Sequence, residues 1–365
     1  MTEAEKQLTK LVAMPTISDD TVANDLALDH IENYLAKRGM LTRRDRFNGH
    51  GTLLAATPSA TMLAPKVLLT AHVDVMEGSK RVFTLQAEGD KLLGRGVYDM
   101  KFSIAGYMEV IDQLQDKLDE YDLGVMITTD EEYGGKDDIN GAHRLVELGL
   151  RPQVCIMPDS TAPNWDIEIV AKGYWRFDLI AKGKAAHGSR PWQGDSASVK
   201  LINALHELKE RFKDQRVETD SLNIGVIQGG VTYNQVPDHM LASIEIRYTS
   251  QQRLDALRKI IARLCKKHGL TIQERALGPL VLTDLSHPLV SPYLDSVEKI
   301  TGPRPQPFTS CAATDAPYFF AEGINCIISC CEGGLHHSED EWISRKSFLQ
   351  FVPILRDYLD RVAKR

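Results

Sequence analysis

Short apolar runs alternate with helical periods along the first part of the chain. Residues 20–38 predict an amphipathic helix, because Leu28, Ile31 and Leu35 recur at the spacing of one helix face. The other elements predicted here are a helix over 101–118 and buried strands over 67–71, 123–128 and 154–157. Continuous apolar strands separated by amphipathic helices are typical of an α/β sheet covered by helices on both faces.

The pattern changes at about residue 174. Residues 241–248 alternate between apolar and polar positions, which indicates a strand with one buried face. The elements predicted here are strands over 175–181, 222–228, 241–248 and 270–274 and helices over 197–212 and 251–267. The first helix is expected to turn one apolar side inward, made of Val199, Ile202, Leu205 and Phe212. The order β-α-β-β-α-β is that of a ferredoxin-like unit.

The α/β pattern resumes after about residue 285. The elements predicted there are a helix over 315–322, a strand over 325–329 and a helix over 344–362. We therefore expect one domain that is split by an inserted one. The expected parts are residues 1–173, the insert over 174–283, and residues 284–365.

Composition narrows the classes of partner. The 365 residues are 43% hydrophobic and 25% charged, with a net charge of -7. Nucleic acid is not an expected partner, because phosphate binding needs a clustered excess of Lys and Arg. The longest basic cluster, Arg43-Arg44-Asp45-Arg46, is short and interrupted, and we interpret it as a solvated strand edge.

Three features of the sequence bear on the cellular compartment of the protein. No apolar run approaches the roughly 20 residues of a membrane helix, so no membrane partner is expected. Acidic residues stand near the N-terminus where a signal peptide would have a basic head. Six cysteines show no C-x-x-C spacing, which favours reduced thiols. We expect a cytoplasmic protein.

Side chains that can bind metal ions follow several of the predicted strands. They are His72 and Asp74 after strand 67–71, Asp130, Glu131 and Glu132 after strand 123–128, Asp159 after strand 154–157, and His336 and His337 after strand 325–329, with Asp99 just before helix 101–118. Ligands of open α/β sheets bind beyond the carboxyl ends of the strands. Imidazole together with carboxylate suits zinc or a similar divalent ion. So many facing carboxylates would repel one another without a metal, and a metal pair removes that objection.

Other reaction classes find no support in the sequence. It contains no H-E-x-x-H, no G-x-S-x-G and no Walker-type G-K-[ST] motif. The pair Gly94 and Gly96 is not a dinucleotide fingerprint, because Asp99 stands where the third glycine would be.

Several motifs occur in one order along most of the chain. They are Ala71-His72-Val73-Asp74, Gly94-Arg95-Gly96-x-x-Asp99-Met100-Lys101, Thr129-Asp130-Glu131-Glu132-x-Gly134-Gly135, Gly183-Lys184-Ala185-Ala186-His187-Gly188-Ser189, Gly229-Gly230-Val231-x-x-Asn234-x-Val236-Pro237 and His337-Ser338-x-x-Glu341. In these motifs the chain resembles the co-catalytic zinc family of aminoacylases, acetylornithine deacetylases, succinyl-diaminopimelate desuccinylases, glutamate carboxypeptidases and di- and tripeptidases. The resemblance implies a zinc-peptidase-like mixed central sheet with helices on both faces, which carries an inserted α+β ferredoxin-like domain for lid and dimerisation functions.

The resemblance also implies a site with two Zn²⁺ per subunit, for which Co²⁺ or Mn²⁺ are substitutes. His72 and Asp159 would bind one ion, Glu132 and His337 the other, and Asp99 would bridge ions that lie roughly 3.5–4 Å apart. Asp74 would accept the ring N–H of His72 and fix its tautomer. Glu131 would be the general base that deprotonates the bridging water and returns the proton to the leaving amine. The family pattern places its ligand directly before Ser or Thr and four residues before Glu, which favours His337 over His336.

Three residues of the insert are candidates on the same ground. From the residues alone, His187 is a turn residue before Gly188, and Arg247 is a partner of Glu245. The resemblance implies that His187 reaches the active site of a partner subunit and helps stabilise the oxyanion. It also implies that Arg247 and Asn234 bind a substrate carboxylate. We therefore expect a homodimer built through the insert.

Two departures from the family motifs and the residue at position 159 bear on the substrate class. Ala312-Ala313-Thr314-Asp315 stands where the family often has Gly-Gly-Thr/Ser-Asp, and the usual proline after Asp74 is absent. In this family Asp at position 159 is more typical of peptidases, and Glu of deacylases. We expect hydrolysis of an amide bond in a small peptide, with an N-acyl amino acid deacylase as the alternative. A non-catalytic binding relative is disfavoured, because Glu131 and all the proposed metal ligands occur together.

Overall fold

The structure is a computed structural model that describes residues 1–133, 139–216, 218–278, 280–310 and 314–365. The chain divides into two compact units. The first unit comprises Met1–Ile169 and Leu282–Arg365, and the second comprises Val170–Val281. The insert predicted over residues 174–283 begins and ends a few residues from these bounds.

Helices occur in both units. They are α1 (Glu3–Val12), α2 (Thr21–Ala36), α3 (Lys101–Leu114), α4 (Gly141–Glu147), α5 (Ala197–Lys209), α6 (Gln251–His268), α7 (Ser291–Thr301), α8 (Ala316–Ala321) and α9 (Arg345–Val362). Short 3₁₀ helices span Lys80–Phe83, Gln115–Glu120 and Pro191–Gln193. No helix in the described ranges combines the length and the apolar character that crossing a membrane requires.

Strands form one large sheet and several small ones. They are β1 (Leu41–Phe47), β2 (His50–Ala56), β3 (Val67–His72), β4 (Gln86–Glu88), β5 (Lys91–Leu93), β6 (Leu123–Thr128), β7 (Val154–Met157), β8 (Ile167–Ala171), β9 (Gly173–Lys182), β10 (Ala186–His187), β11 (Ser221–Gly229), β12 (Gln235–Val236), β13 (His239–Tyr248), β14 (Leu270–Gly278), β15 (Val281–Leu282), β16 (Pro307–Ser310), β17 (Asn325–Ile328), β18 (Gly333–Gly334) and β19 (Trp342–Ser344).

The large sheet of the first unit is mixed. Its strand order is β1-β2-β6-β3-β7-β17-β8-β15, with β16 also paired to β8. The strands β6, β3, β7 and β17 run parallel to one another, whereas β1 and β2 pair antiparallel. Every residue of β2, β3, β6 and β7 is buried, so both faces of the sheet are covered at its centre. The expected mixed α/β sheet is confirmed, and the basic cluster lies on its outer strand, β1.

In the second unit β9, α5, β11, β13, α6 and β14 follow one another along the chain. The strands form an antiparallel sheet in the order β11-β13-β9-β14, and β10 pairs separately with β12. A separate hydrophobic core packs α5 and α6 on this sheet.

The inward side predicted for α5 is wrong in part. Val199 and Ile202 are 54% and 63% exposed. The helix instead buries a stripe that includes two alanines, listed as Ala197, Leu201, Ala204, Leu205 and Leu208. Small residues let the helix approach the sheet closely, and this leaves the larger Val199 and Ile202 outside.

Other differences concern element ends. Helix 101–118 stops at Leu114, and the next residues form a 3₁₀ helix with a kink at Lys117. Helix α1 was not predicted, although Thr2 and Glu5 form a capping box at its start.

Cys155, Cys265, Cys326, Cys330 and Cys331 are free and buried, and Cys311 lies outside the described residues.

Candidate metal centre

Polar residues at the carboxyl ends of the parallel strands lie at one edge of the large sheet. In the register of β3 with β6, His72 lies opposite Thr128, just before the acidic residues 130–132. Strand β7 is the other neighbour of β3, and Asp159 follows it. The topology therefore brings together side chains that are far apart in sequence.

These side chains form two groups that could each hold a metal ion. The ligand atoms of His72, Glu131 and Asp159 lie within 4.8 Å of one another, as do those of Asp99, Glu132 and His337. Nε2 of His337 lies 3.0 Å from Oε2 of Glu132. In the first group, Nε2 of His72 lies 4.0 Å from Oε2 of Glu131. All the predicted metal ligands thus lie in these two groups, together with Glu131.

Asp99 is shared between the two groups. Its Oδ1 lies 3.1 Å from Nε2 of His72, and its Oδ2 lies 3.1 Å from Nε2 of His337. One carboxylate thus contacts one imidazole on each side. This is the arrangement that a bridging ligand requires.

The two adjacent histidines have different surroundings. The His337 ring contacts Asp99 and Glu132, whereas the His336 ring lies beside Tyr98 with 6.2 Å between ring centroids. Among the described residues, no group that could hold a metal includes His336.

Asp74 contacts His72 more closely with its main chain than with its carboxylate. Nδ1 of His72 lies 3.0 Å from the main-chain oxygen of Asp74 but 3.6 Å from its carboxylate, beyond hydrogen-bond distance. The fully buried carboxylate instead accepts hydrogen bonds from the main-chain N–H groups of Glu131 and Glu132 and from the Ser18 hydroxyl. Asp74 therefore orients His72 through its backbone and holds the acidic turn through its side chain.

The acidic groups strongly affect one another. Burial raises the pKa of Glu131 well above its ordinary value, and the Asp159 carboxylate raises it further. Burial and the charge of Asp99 raise the pKa of Asp159 in the same way. Burial would also raise the pKa of Asp99, but hydrogen bonds with His337 and His72 hold it below the ordinary value.

The two histidines face these carboxylates, and the contacts change the pKa of both rings. Burial would lower the pKa of His72, but its contacts with Asp74 and Asp99 raise that pKa well above the ordinary value. Hydrogen bonds with Asp99 and Glu132 raise the pKa of His337 to about 10. The carboxylates thus lie against imidazole nitrogens, and divalent cations bound among them would supply the positive charge that such facing carboxylates need. Imidazole together with carboxylate is a donor set that fits such ions.

The candidates of the insert lie in the second unit. His187 is exposed on β10, where its Nδ1 lies 2.8 Å from the Ser189 hydroxyl. The main-chain oxygen of Asn234 accepts a hydrogen bond from Gly188 at 2.6 Å. The Arg247 guanidinium donates a hydrogen bond to the Glu245 carboxylate at 2.8 Å, which is the pairing predicted from the residues alone.

Comparison with known proteins places the chain in a family. A sequence model of peptidase family M20/M25/M40 matches residues 68–361. The chain belongs to this family. The resemblance drawn from the motifs is confirmed.

Relatives of this M20/M25/M40 chain carry two kinds of name. A probable carboxypeptidase of Aspergillus terreus is 29% identical over 62% of this chain and 54% of its own length. A succinyl-diaminopimelate desuccinylase of Pelagibacter ubique is 26% identical over 81% of this chain and 82% of its own length. The chain thus spans about half the length of the fungal carboxypeptidases that it matches.

Solved structures show the same fold. The aminopeptidase PepT of Bacillus cereus superposes with a TM-score of 0.79 at 18% identity, over 98% of both chains. A metallo-carboxypeptidase of the M20 family from Sulfolobus solfataricus superposes with a TM-score of 0.75 at 17% identity, over 98% of this chain and 99% of the other.

Asp315 is a site residue that sequence reasoning did not single out. It lines the pocket that holds His72, Glu131 and Asp159, and its carboxylate accepts a hydrogen bond from the Asn140 amide at 2.6 Å. Burial raises the pKa of Asp315 to about 6. The sequence signal for Asp315 was its place in the segment Ala312-Ala313-Thr314-Asp315, which stands where the family often has Gly-Gly-Thr/Ser-Asp. The residues Ala312, Ala313, Gly134 and Gly135 lie outside the described residues.

Proposed function

We propose that the chain is a metal-dependent hydrolase that cleaves an amide bond in a small peptide. The observation that carries the proposal is the Asp99 carboxylate, which lies 3.1 Å from an imidazole nitrogen of each of two ligand groups. His72 and Asp159 would hold one Zn²⁺, and Glu132 and His337 the other, with Asp99 shared. Bound there, the ions would polarise the substrate carbonyl and lower the pKa of water.

The remaining chemistry falls to side chains of this site. Glu131 would take the proton of the attacking water and later give it to the departing amine. Its position supports this role, because its carboxylate lies in the same ligand group as His72 and Asp159. Asp74 would keep Glu131 in place through the main-chain N–H group at 3.3 Å.

A deacylase is the second candidate. The relative from Pelagibacter ubique supports it, because it matches most of both chains and is named a desuccinylase. Asp at position 159 and the carboxypeptidase names of other relatives favour the peptidase. Both substrates present an amide bond near a free carboxylate.

The second unit would complete the site in a homodimer. His187 would stabilise the oxyanion in the partner subunit's site, and Arg247 with Asn234 would bind a substrate carboxylate. Outer strand β11 supports dimer formation, because it exposes Val226 and Ile227 at a sheet edge. Exposed Val199 and Ile202 on α5 add apolar surface in the same unit.

The test is an activity screen of the full chain reconstituted with Zn²⁺. Dipeptides, tripeptides, N-acetyl and N-succinyl amino acids are assayed in parallel, with and without a chelator. We expect hydrolysis of one class, loss of it on chelation, and its return with added metal. Turnover that survives thorough chelation would contradict the proposal, and bound metal without turnover of any substrate would favour a non-catalytic relative.

A further inference from the structure

Arg95 and Glu341 form a buried ion pair next to the turn that carries Asp99. Their side chains are 2% and 1% exposed, and a guanidinium nitrogen lies 3.0 Å from Oε2 of Glu341. Burying two charges is costly unless each also makes good hydrogen bonds. The further contacts of both side chains show what the pair does.

Glu341 holds the turn before α3. Its carboxylate accepts hydrogen bonds from the main-chain N–H groups of Gly96 at 3.1 Å, Tyr98 at 3.0 Å and Asp99 at 3.2 Å. Gly96 has φ +78°, in the region that favours glycine, and such a turn directs several N–H groups at one anion. The carboxylate therefore fixes the backbone from which Asp99 projects.

Arg95 holds the segment that carries His337. Its second guanidinium nitrogen donates to the main-chain oxygens of His337 at 3.2 Å and Glu77 at 2.9 Å. His337 has φ +62°, which is uncommon for a residue other than glycine, and its side chain is 45% exposed. Burial therefore does not fix this histidine, and the contact from Arg95 restrains its backbone.

We propose that Arg95 and Glu341 are positioning residues for the ligand group of Asp99, Glu132 and His337. They set the spacing between Asp99 and His337, so that a divalent ion meets both without rearrangement. The inference rests on the proposed function, because the ions are those of that reaction. His337 belongs to this group alone, so loss of the ion pair weakens the ion at His337 and Glu132 more than the ion at His72 and Asp159.

The experiment compares Glu341→Gln and Arg95→Lys with the unmodified full chain. Glutamine turns one acceptor oxygen into a donor that faces other donors, and lysine keeps the charge but lacks the fork that reaches both partners. Zn²⁺ affinity is measured by competition with a chromophoric chelator, and the visible absorption of bound Co²⁺ reports ligand geometry. In both variants we expect the ion at His337 to bind about 10- to 100-fold more weakly, with a changed Co²⁺ spectrum. The other ion should stay within about threefold in Arg95→Lys and should weaken less than the first in Glu341→Gln, because Asp99 is shared.

Glu339→Gln is the matched control. Glu339 lies in the same segment as His337 and Glu341 but bonds to Ser79 and Arg81 at the surface, away from the Asp99 turn, so we expect no change in either ion. Wild-type affinities in a folded variant, equal weakening of both ions, or the same effect in the control would overturn the inference. Circular dichroism verifies folding, and Arg95→Lys decides if Glu341→Gln does not fold. An unmodified chain that binds no metal contradicts the proposed function instead, whereas two ions bound equally well in all variants contradict this inference alone.

Discussion

Replacing Asp74 with asparagine changes one oxygen of a fully buried carboxylate into an NH₂ group and keeps the shape of the side chain. In the unmodified protein Oδ2 accepts from the Ser18 hydroxyl at 2.9 Å and from the Glu132 N–H at 3.1 Å, and Oδ1 accepts from the Glu131 N–H at 3.3 Å. An amide that keeps its oxygen on the Oδ2 side therefore points a donor at the Glu131 N–H.

The size of the effect follows from these contacts. One hydrogen bond to a charged acceptor contributes about 1.5–3 kcal/mol, and a buried N–H that loses its partner costs about 1–3 kcal/mol. We expect the free energy of unfolding to fall by about 2–3 kcal/mol. Because Glu131 and Glu132 are attached to these N–H groups, kcat should fall by about 10- to 100-fold, with a smaller change in KM.

Urea unfolding of the metal-free protein and steady-state hydrolysis of the substrate identified in the screen measure both effects. Ser18→Ala is the control, because it removes a neutral hydroxyl donor and should cost about 1 kcal/mol with little change in kcat. If the Asp74→Asn protein kept the stability and the kcat of the unmodified protein, Asp74 would not hold Glu131 and Glu132 in place.

Three further predictions concern other parts of the molecule. Glu131→Gln should keep its bound metal but lose about 100- to 10,000-fold in kcat, and near-normal turnover would contradict its role as the base. Burial would raise the pKa of Asp357, but hydrogen bonds from Lys299 and two neighbouring side chains lower it to about 2. This stabilisation is fully present above the ordinary pKa near 4 and is lost as pH falls through about 2. Asp357→Asn should therefore lower the free energy of unfolding by about 1 kcal/mol at pH 7, and by less below pH 4. An equal loss at pH 7 and pH 3 in urea titrations would contradict this. A Cβ on Gly106 would clash with Cδ1 of Phe351, so Gly106→Ala should cost about 1–3 kcal/mol in urea unfolding although alanine is the better helix former. Phe351→Leu should relieve part of this loss.

Much of the first unit could be predicted from apolar patterning. The strand over 123–128 matches β6 and that over 154–157 matches β7, because continuous apolar runs between polar turns leave little choice of bounds. The inward side of α5 could not be predicted in this way. Val199 and Ile202 compete with Ala197 and Ala204 for that side, and only close packing on the sheet decides between them.

Some residues of the site could be predicted from the order of strands, and others could not. His72 and Asp159 follow predicted parallel strands, so the topology alone brings them to one edge. Asp99 and His337 lie outside strands, and their positions beside predicted elements made them candidates only. The family motifs gave them ligand roles and favoured His337 over His336. The partnership of Arg95 with Glu341 joins residues 246 positions apart, and no periodicity or spacing in the sequence encodes such a contact.

The proposed function depends on two divalent ions that share the Asp99 carboxylate. A crystal of the full chain grown with Zn²⁺, with diffraction data collected on both sides of the zinc absorption edge, would locate these ions. We expect two anomalous peaks, one beside His72 and Asp159 and one beside Glu132 and His337, with Asp99 in contact with both. The absence of zinc peaks among these side chains at saturating metal would contradict it.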